Sequence, residues 1–272
     1  MQKLRKALEI AKQLRLQRRP REPGASCPAP SPGPGYGWVS PTYAQCLARK
    51  LDPATLEANC CVGARPDAFE LESYKVLRTQ VLQLTKEKAW NAIMVTSALP
   101  REGKTLTAIN LAFAFAKEFS QTVLLVDCDL RQQKIHEYLG LASDRGLIDY
   151  LGENRPIKDI LIWPGVEKLT LISGGRRIRE SAELLGSGKM KALVAEMKTR
   201  YPDRYLVFDV PPILAGADVI GLASFVDCIL IVVEAGKTSI RDIRKAFDLM
   251  PREKVLGFVL NRHRTRMQEY AT

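Results

Sequence analysis

Along most of the chain, apolar positions fall in short continuous runs separated by longer stretches with helical spacing. From Asp67 onward the two alternate. Asp67 can cap a helix running to about Lys86 that places Leu71, Tyr74, Leu77, Val81 and Leu84 on one face. Strand-like runs follow at Ala92–Ser97, Thr122–Asp127, Lys168–Ser173, Arg204–Asp209, Asp227–Val233 and Lys254–Leu260. Helical stretches lie between them at Lys104–Phe119, Gly188–Arg200, near Asp218–Phe225, and at Ser239–Met250. The strands are unbroken Ile, Val, Leu and Phe, the pattern of a parallel sheet covered on both faces. The fold class expected is therefore α/β, a doubly wound, mostly parallel sheet flanked by helices.

The first 66 residues read differently. Residues 2–19 have Leu4, Ala7, Leu8, Ala11 and Leu14 at helical spacing with Lys and Arg between, and predict a basic helix. Residues 20–66 are expected to be a linker, mostly disordered. Pro and Gly crowd positions 20–42, while 43–66 are ambiguous between linker and a short lead-in helix. The α/β domain is assigned to 67–262 and a flexible basic tail to 263–272.

Charge changes this picture at the ends. The net charge is +11 over 272 residues, and residues 1–22 alone carry eight basic side chains against two acidic ones. Arg262, Arg264 and Arg266 face Glu269 at the other end. Basic termini on a nearly balanced middle suggest an anionic partner, such as a lipid surface. Nucleic acid is an unlikely partner, because no stacking aromatics are interleaved with the charges. The six cysteines have no metal-site spacing, which suggests reduced thiols in a cytoplasmic protein. No apolar run approaches the length of a membrane span. A soluble chain is expected, with at most peripheral contact at the inner face of the cell membrane.

Three strands end in residues suited to a magnesium nucleotide. The first runs into Ala98-Leu99-Pro100-Arg101-Glu102-Gly103-Lys104-Thr105 and then a helix, the strand–loop–helix setting of a phosphate-binding loop. Helix N–H groups would face phosphate oxygens, Lys104 would neutralise them, and the Thr105 hydroxyl would ligate Mg²⁺. The second strand ends in Asp127-Cys128-Asp129, and the third in Asp209-Val210-Pro211-Pro212. A lone Asp at a strand tip is as easily a helix cap. Three with the loop beside them point to a metal.

Together, Ser97–Thr105, Leu124–Arg131 and Leu206–Pro212 resemble the Walker A, Walker A′ and Walker B motifs of bacterial tyrosine kinases. These are the kinase units of capsule and exopolysaccharide export, related in fold to the MinD and ParA group of P-loop ATPases. Glu70–Arg78, Ser181–Leu185 and Gly236-Lys237-Thr238 also fit. The resemblance implies ATP and Mg²⁺ as cofactors. It implies catalytic roles for Lys104, Asp127, Asp129 and Asp209, with the metal on Thr105, Asp127 and Asp209. The nucleotide would be held by Ala98, Pro100, Arg101, Glu102, Gly103, Lys104, Thr105 and Leu106, with Asn261 and Arg262 at the adenine. Glu72, Lys75 and Arg78 would form a subunit contact in a homo-oligomer or nucleotide-dependent dimer. Lys75 stands where the family has Arg, which would weaken the contact. The tail holds one tyrosine, Tyr270, as phosphoacceptor, where the family has a cluster. A separate membrane-anchored chain-length-determinant adaptor is the implied partner. The alternative is a regulatory ATPase switch in the same export system. A dehydrogenase lacks its Gly-x-Gly-x-x-Gly, and a partition ATPase would carry Lys in place of Leu99.

Overall fold

The computed structural model describes residues 46–64, 69–178, 180–201 and 203–263. The basic helix at 2–19, the Pro/Gly-rich stretch, the Asp67 cap and Tyr270 lie outside the described residues.

Eight strands form one sheet: β1 (Leu47–Ala48), β2 (Ala92–Ser97), β3 (Thr122–Asp127), β4 (Leu161–Trp163), β5 (Leu169–Ile172), β6 (Arg204–Asp209), β7 (Cys228–Glu234) and β8 (Val255–Asn261). Their order is β1-β4-β5-β3-β6-β2-β7-β8, parallel throughout except for the antiparallel pair β4–β5. Nine helices accompany the strands among the described residues: α1 (Pro53–Ala58), α2 (Phe69–Lys86), α3 (Lys104–Ala116), α4 (Ile135–Leu139), α5 (Leu147–Glu153), α6 (Ser181–Leu185), α7 (Gly188–Arg200), α8 (Asp218–Ala223) and α9 (Ile240–Asp248).

Side chains alternate across the sheet and build two cores. Ala92 and Met94 of β2 face Leu147, Met190, Leu193, Val219 and Ala246 on α5, α7, α8 and α9. Ile93 and Val95 face Leu71, Val81, Ile109 and Phe113 on α2 and α3. With both faces covered, β2 and β3 are buried at every position. That is why these strands carry no polar alternation.

Two expectations are corrected. The segment from Leu47 to Ala64 is part of the sheet domain and not linker. β1 pairs with β4, Asp52 caps α1 through the N–H of Thr55 at 3.0 Å, and Pro53 opens the helix. Leu51, Leu56, Cys61 and Val62 are buried, and Asn110 of α3 ties the segment down by accepting from the Val62 N–H at 2.9 Å. A short apolar stretch without a period gave too little signal for this. Leu84 of α2 is exposed, and Thr85 takes the inward position instead. The Thr85 hydroxyl is satisfied there by the Val81 carbonyl at 2.7 Å and the Tyr205 hydroxyl at 2.9 Å.

Burial of Leu56 yields a stability prediction. Leu56→Ala should lower unfolding stability by about 2–4 kcal/mol, the cost of a cavity in a packed core. Denaturant midpoints measure it, and an unchanged midpoint would return this segment to the linker.

Candidate nucleotide site

The site lies where β3, β6 and β2 end side by side, at the carboxyl edge of the sheet. The loop after β2 turns sharply. Gly103 has φ +92°, and a Cβ built there would lie 2.1 Å from Asn261 Nδ2, so only glycine fits. That close approach is a hydrogen bond to the loop, since Asn261 Nδ2 donates to the Glu102 carbonyl at 2.8 Å. The start of α3 has no side-chain cap, which leaves its first N–H groups for an anion. Pro100 and Arg101 lie exposed on the rim, Ala98 is buried, and Leu106 turns its side chain to the second core.

The charges converge on one ammonium. Lys104 Nζ donates to Asp129 Oδ2 at 2.8 Å and to Thr105 Oγ1 at 3.1 Å, and approaches Asp209 Oδ1 at 3.5 Å. Asp127 and Asp209 are directly paired across β3 and β6 and are both fully buried. Asp127 accepts from the N–H groups of Asp129 at 3.1 Å and Ile135 at 3.2 Å. Burial pushes its carboxyl well above the usual range, and the charge of Asp209 adds to this against the pull of Lys104. Burial likewise raises Asp209, with Lys104 pulling back. For Lys104, burial acts to lower the pKa, but Asp209 and then Asp129 outweigh it and the net shift is upward.

Asp209 Oδ2 is buried without any hydrogen-bond partner. An orphaned carboxylate oxygen beside the Thr105 hydroxyl is the kind of donor set a hard cation takes, so the residues fit Mg²⁺. Among the described residues no three His, Cys, Asp or Glu side chains group around a metal position. Mg²⁺ fits without such a group, because it keeps waters and takes phosphate oxygens.

The remaining expected residues are placed unequally. Asn261 and Arg262 stand at the end of β8, beside the loop. Arg262 pairs with Glu234 at 2.9 Å, and Arg262 and Lys237 hold the Glu234 carboxyl below its usual range. Glu72 and Lys75 form a solvent-exposed pair at 2.8 Å on α2. Arg78 turns into its own chain, donating to the Ala114 carbonyl at 3.1 Å and pairing with Glu118 at 3.2 Å. The structure therefore does not bring Arg78 together with the other two as one exposed patch.

Three residues that the sequence reading placed in motif runs or a helix, without giving them a role of their own, meet in the structure. Arg131 donates to the Ser181 hydroxyl at 2.9 Å and pairs with Asp218 at 3.1 Å, while Ser181 bonds to Asp218 as well. This triangle ties the loop after β3 to α6 and α8. Only the position of Arg131, two residues past Asp129, hinted at it.

The sequence matches the family described as the CobQ/CobB/MinD/ParA nucleotide binding domain over residues 93–271. Tyrosine-protein kinase YwqD of Bacillus subtilis is 32% identical over 78% of this chain and 90% of that protein. Tyrosine-protein kinase ptk of Acinetobacter johnsonii is 27% identical over 72% of this chain, which spans only 26% of its length. Among solved structures, the VpsO kinase domain superposes with a TM-score of 0.63 at 31% identity, covering 71% of this chain and 96% of that one. Among the described residues, no helix is long and apolar enough to cross a membrane. The motifs, the sheet order and these likenesses agree: the chain belongs to the CobQ/CobB/MinD/ParA nucleotide-binding family and, within it, to the bacterial tyrosine-protein kinases.

Proposed function

We propose that the chain is an ATP-dependent protein-tyrosine autokinase that regulates polymerisation and export of a capsular or extracellular polysaccharide. The observation that carries this reading is the meeting of three strand ends at Lys104, with Asp129 at 2.8 Å and Asp209 at 3.5 Å. Phosphoryl transfer needs positioning and charge neutralisation more than covalent help. Lys104 would exchange its carboxylate partners for the β- and γ-phosphate oxygens, and the uncapped N–H groups of α3 would take others. Thr105, Asp127 and Asp209 would hold Mg²⁺, which offsets phosphate charge when bound.

Asp127 and Asp129 would activate the attacking phenol, with Asp129 taking its one proton as the tyrosine oxygen bonds to the γ-phosphorus and the bond to the departing ADP oxygen breaks. The acceptor would be Tyr270 of a neighbouring subunit. Asn261 and Arg262 would lie against adenine. Glu72 and Lys75 would contribute to a subunit contact that Arg78 supports from within its own chain. A separate membrane-anchored adaptor would place the enzyme at the inner face of the membrane, with the basic N-terminal segment touching anionic lipid.

Incubation with Mg-ATP followed by phosphotyrosine mass spectrometry tests the kinase. Wild type should label Tyr270, and Lys104→Met should label at least ~100-fold less with its circular dichroism unchanged. ATP hydrolysis without phosphotyrosine in wild type would favour a switch ATPase, and undiminished labelling in Lys104→Met would overturn the site. A second prediction concerns the N-terminus. Deleting residues 1–42 should leave nucleotide binding intact but reduce recovery on anionic vesicles, since each basic residue near such a surface contributes about 1 kcal/mol. Equal, salt-insensitive recovery with and without the segment would contradict the membrane contact.

A further inference from the structure

Glu102 poses an electrostatic problem. A carboxylate inside a loop that wraps phosphates would repel them, yet this residue is only 2% exposed within that loop. Both of its oxygens are engaged elsewhere. Oε2 accepts from the Leu99 N–H at 2.7 Å, and Oε1 accepts from the Thr238 hydroxyl. The Thr238 hydroxyl in turn accepts from the Glu234 N–H at 2.9 Å, and the Thr238 N–H donates to the Glu234 carbonyl at 3.1 Å. The turn leaving β7 thereby fixes the hydroxyl. The Glu102 carbonyl is held separately by Asn261 at the end of β8. A single loop residue is thus tied to the turn leaving β7 and to the end of β8.

We infer that Glu102 and Thr238 form a positioning latch that holds the phosphate loop in its binding shape and couples it to the turn between β7 and α9. The inference rests on the nucleotide site proposed above, and only its kinetic arm needs the kinase reading. Neither side chain has to touch the reacting atoms; both act through the backbone from Leu99 to Gly103. With the latch open, the carboxylate is free to swing toward the phosphates and the loop samples several shapes. Apparent affinity then falls by the fraction of loops in the competent shape. Bound nucleotide re-forms the loop, so the loss falls on binding and not on transfer. Gly236-Lys237-Thr238, a motif the nucleotide chemistry left without a role, acquires one here.

The test measures binding of a fluorescent ATP analogue, together with KM and kcat for ATP, on the full chain. Thr238→Val should weaken binding about tenfold, because a buried charged acceptor loses its donor. KM should rise by the same factor while kcat stays within about twofold. Thr238→Ser, which keeps the hydroxyl, should bind like wild type. Combining Thr238→Val with Glu102→Gln should cost no more than the worse single change, as expected of two residues acting through one bond. Unchanged binding in Thr238→Val, failure of Thr238→Ser to rescue, or a fall in kcat at constant KM would overturn the latch. If Thr238→Val does not fold, Thr238→Ala carries the same expected split. A wild type that binds the analogue but transfers no phosphate would refute the kinase reading alone, and the binding arm would still decide the latch.

Discussion

The structure depends on one buried charge balance. Lys104, Asp127, Asp129 and Asp209 stand together at the carboxyl ends of adjoining strands, where water screens little. Three carboxylates and one ammonium leave an excess of negative charge. Burying any of these groups alone would cost several kcal/mol, and removing one partner leaves the others uncompensated. Burial raises Asp127 and Asp209, neighbouring carboxylates add to it against the pull of Lys104, and Oδ2 of Asp209 is left without a hydrogen-bond partner. A cation and a polyanion arriving together are the ligand that such a site suits, with the metal meeting the carboxylates and Lys104 meeting the phosphates.

The rest of the fold serves that balance. The order β3-β6-β2 places the three chemical loops side by side, and the parallel pairing of β3 with β6 makes Asp127 and Asp209 direct neighbours. The two cores hold the strands from both faces, so the acids sit on a rigid platform. The loops are then tied to one another by polar bonds: Asn261 and Thr238 to Glu102, and Arg131 to Ser181 and Asp218. Packing fixes the frame to the strand, and hydrogen bonds fix the loops within it.

How much of this the sequence disclosed follows from the range of each signal. The central strands were legible because burial on both faces demands unbroken apolar runs, and Arg204–Asp209 appears with its expected bounds. Gly188–Arg200 was equally plain, with Ser187 capping it. Lys104, Thr105 and the three aspartates were legible because their spacing in the chain fixes their place at strand ends. The antiparallel β4 and the helices α4 and α5 were missed, since three to seven residues carry too short a period. The segment at 47–64 was obscured by its Pro-rich neighbour and is held by contacts with residues far along the chain, notably Asn110. The same reason hid Thr238, Ser181 and Asp218, whose partners lie 136, 50 and 87 residues away in sequence or similarly far. Arg78 shows the converse, since its spacing from Glu72 and Lys75 suggested one surface while its guanidinium found Ala114 and Glu118.

The charge balance can be measured directly through protons. Calorimetric titration of ATP into the protein, repeated in buffers of different ionisation enthalpy, reads protons taken up or released on binding. Without Mg²⁺, drawing Lys104 onto the phosphates should leave the carboxylates beside new negative charge and raise their pKa values further. Uptake of roughly one proton per site is then expected near neutral pH. With Mg²⁺ present, the metal should replace the lysine's charge and most of that uptake should vanish. Binding heats independent of buffer in the absence of Mg²⁺ would contradict the account.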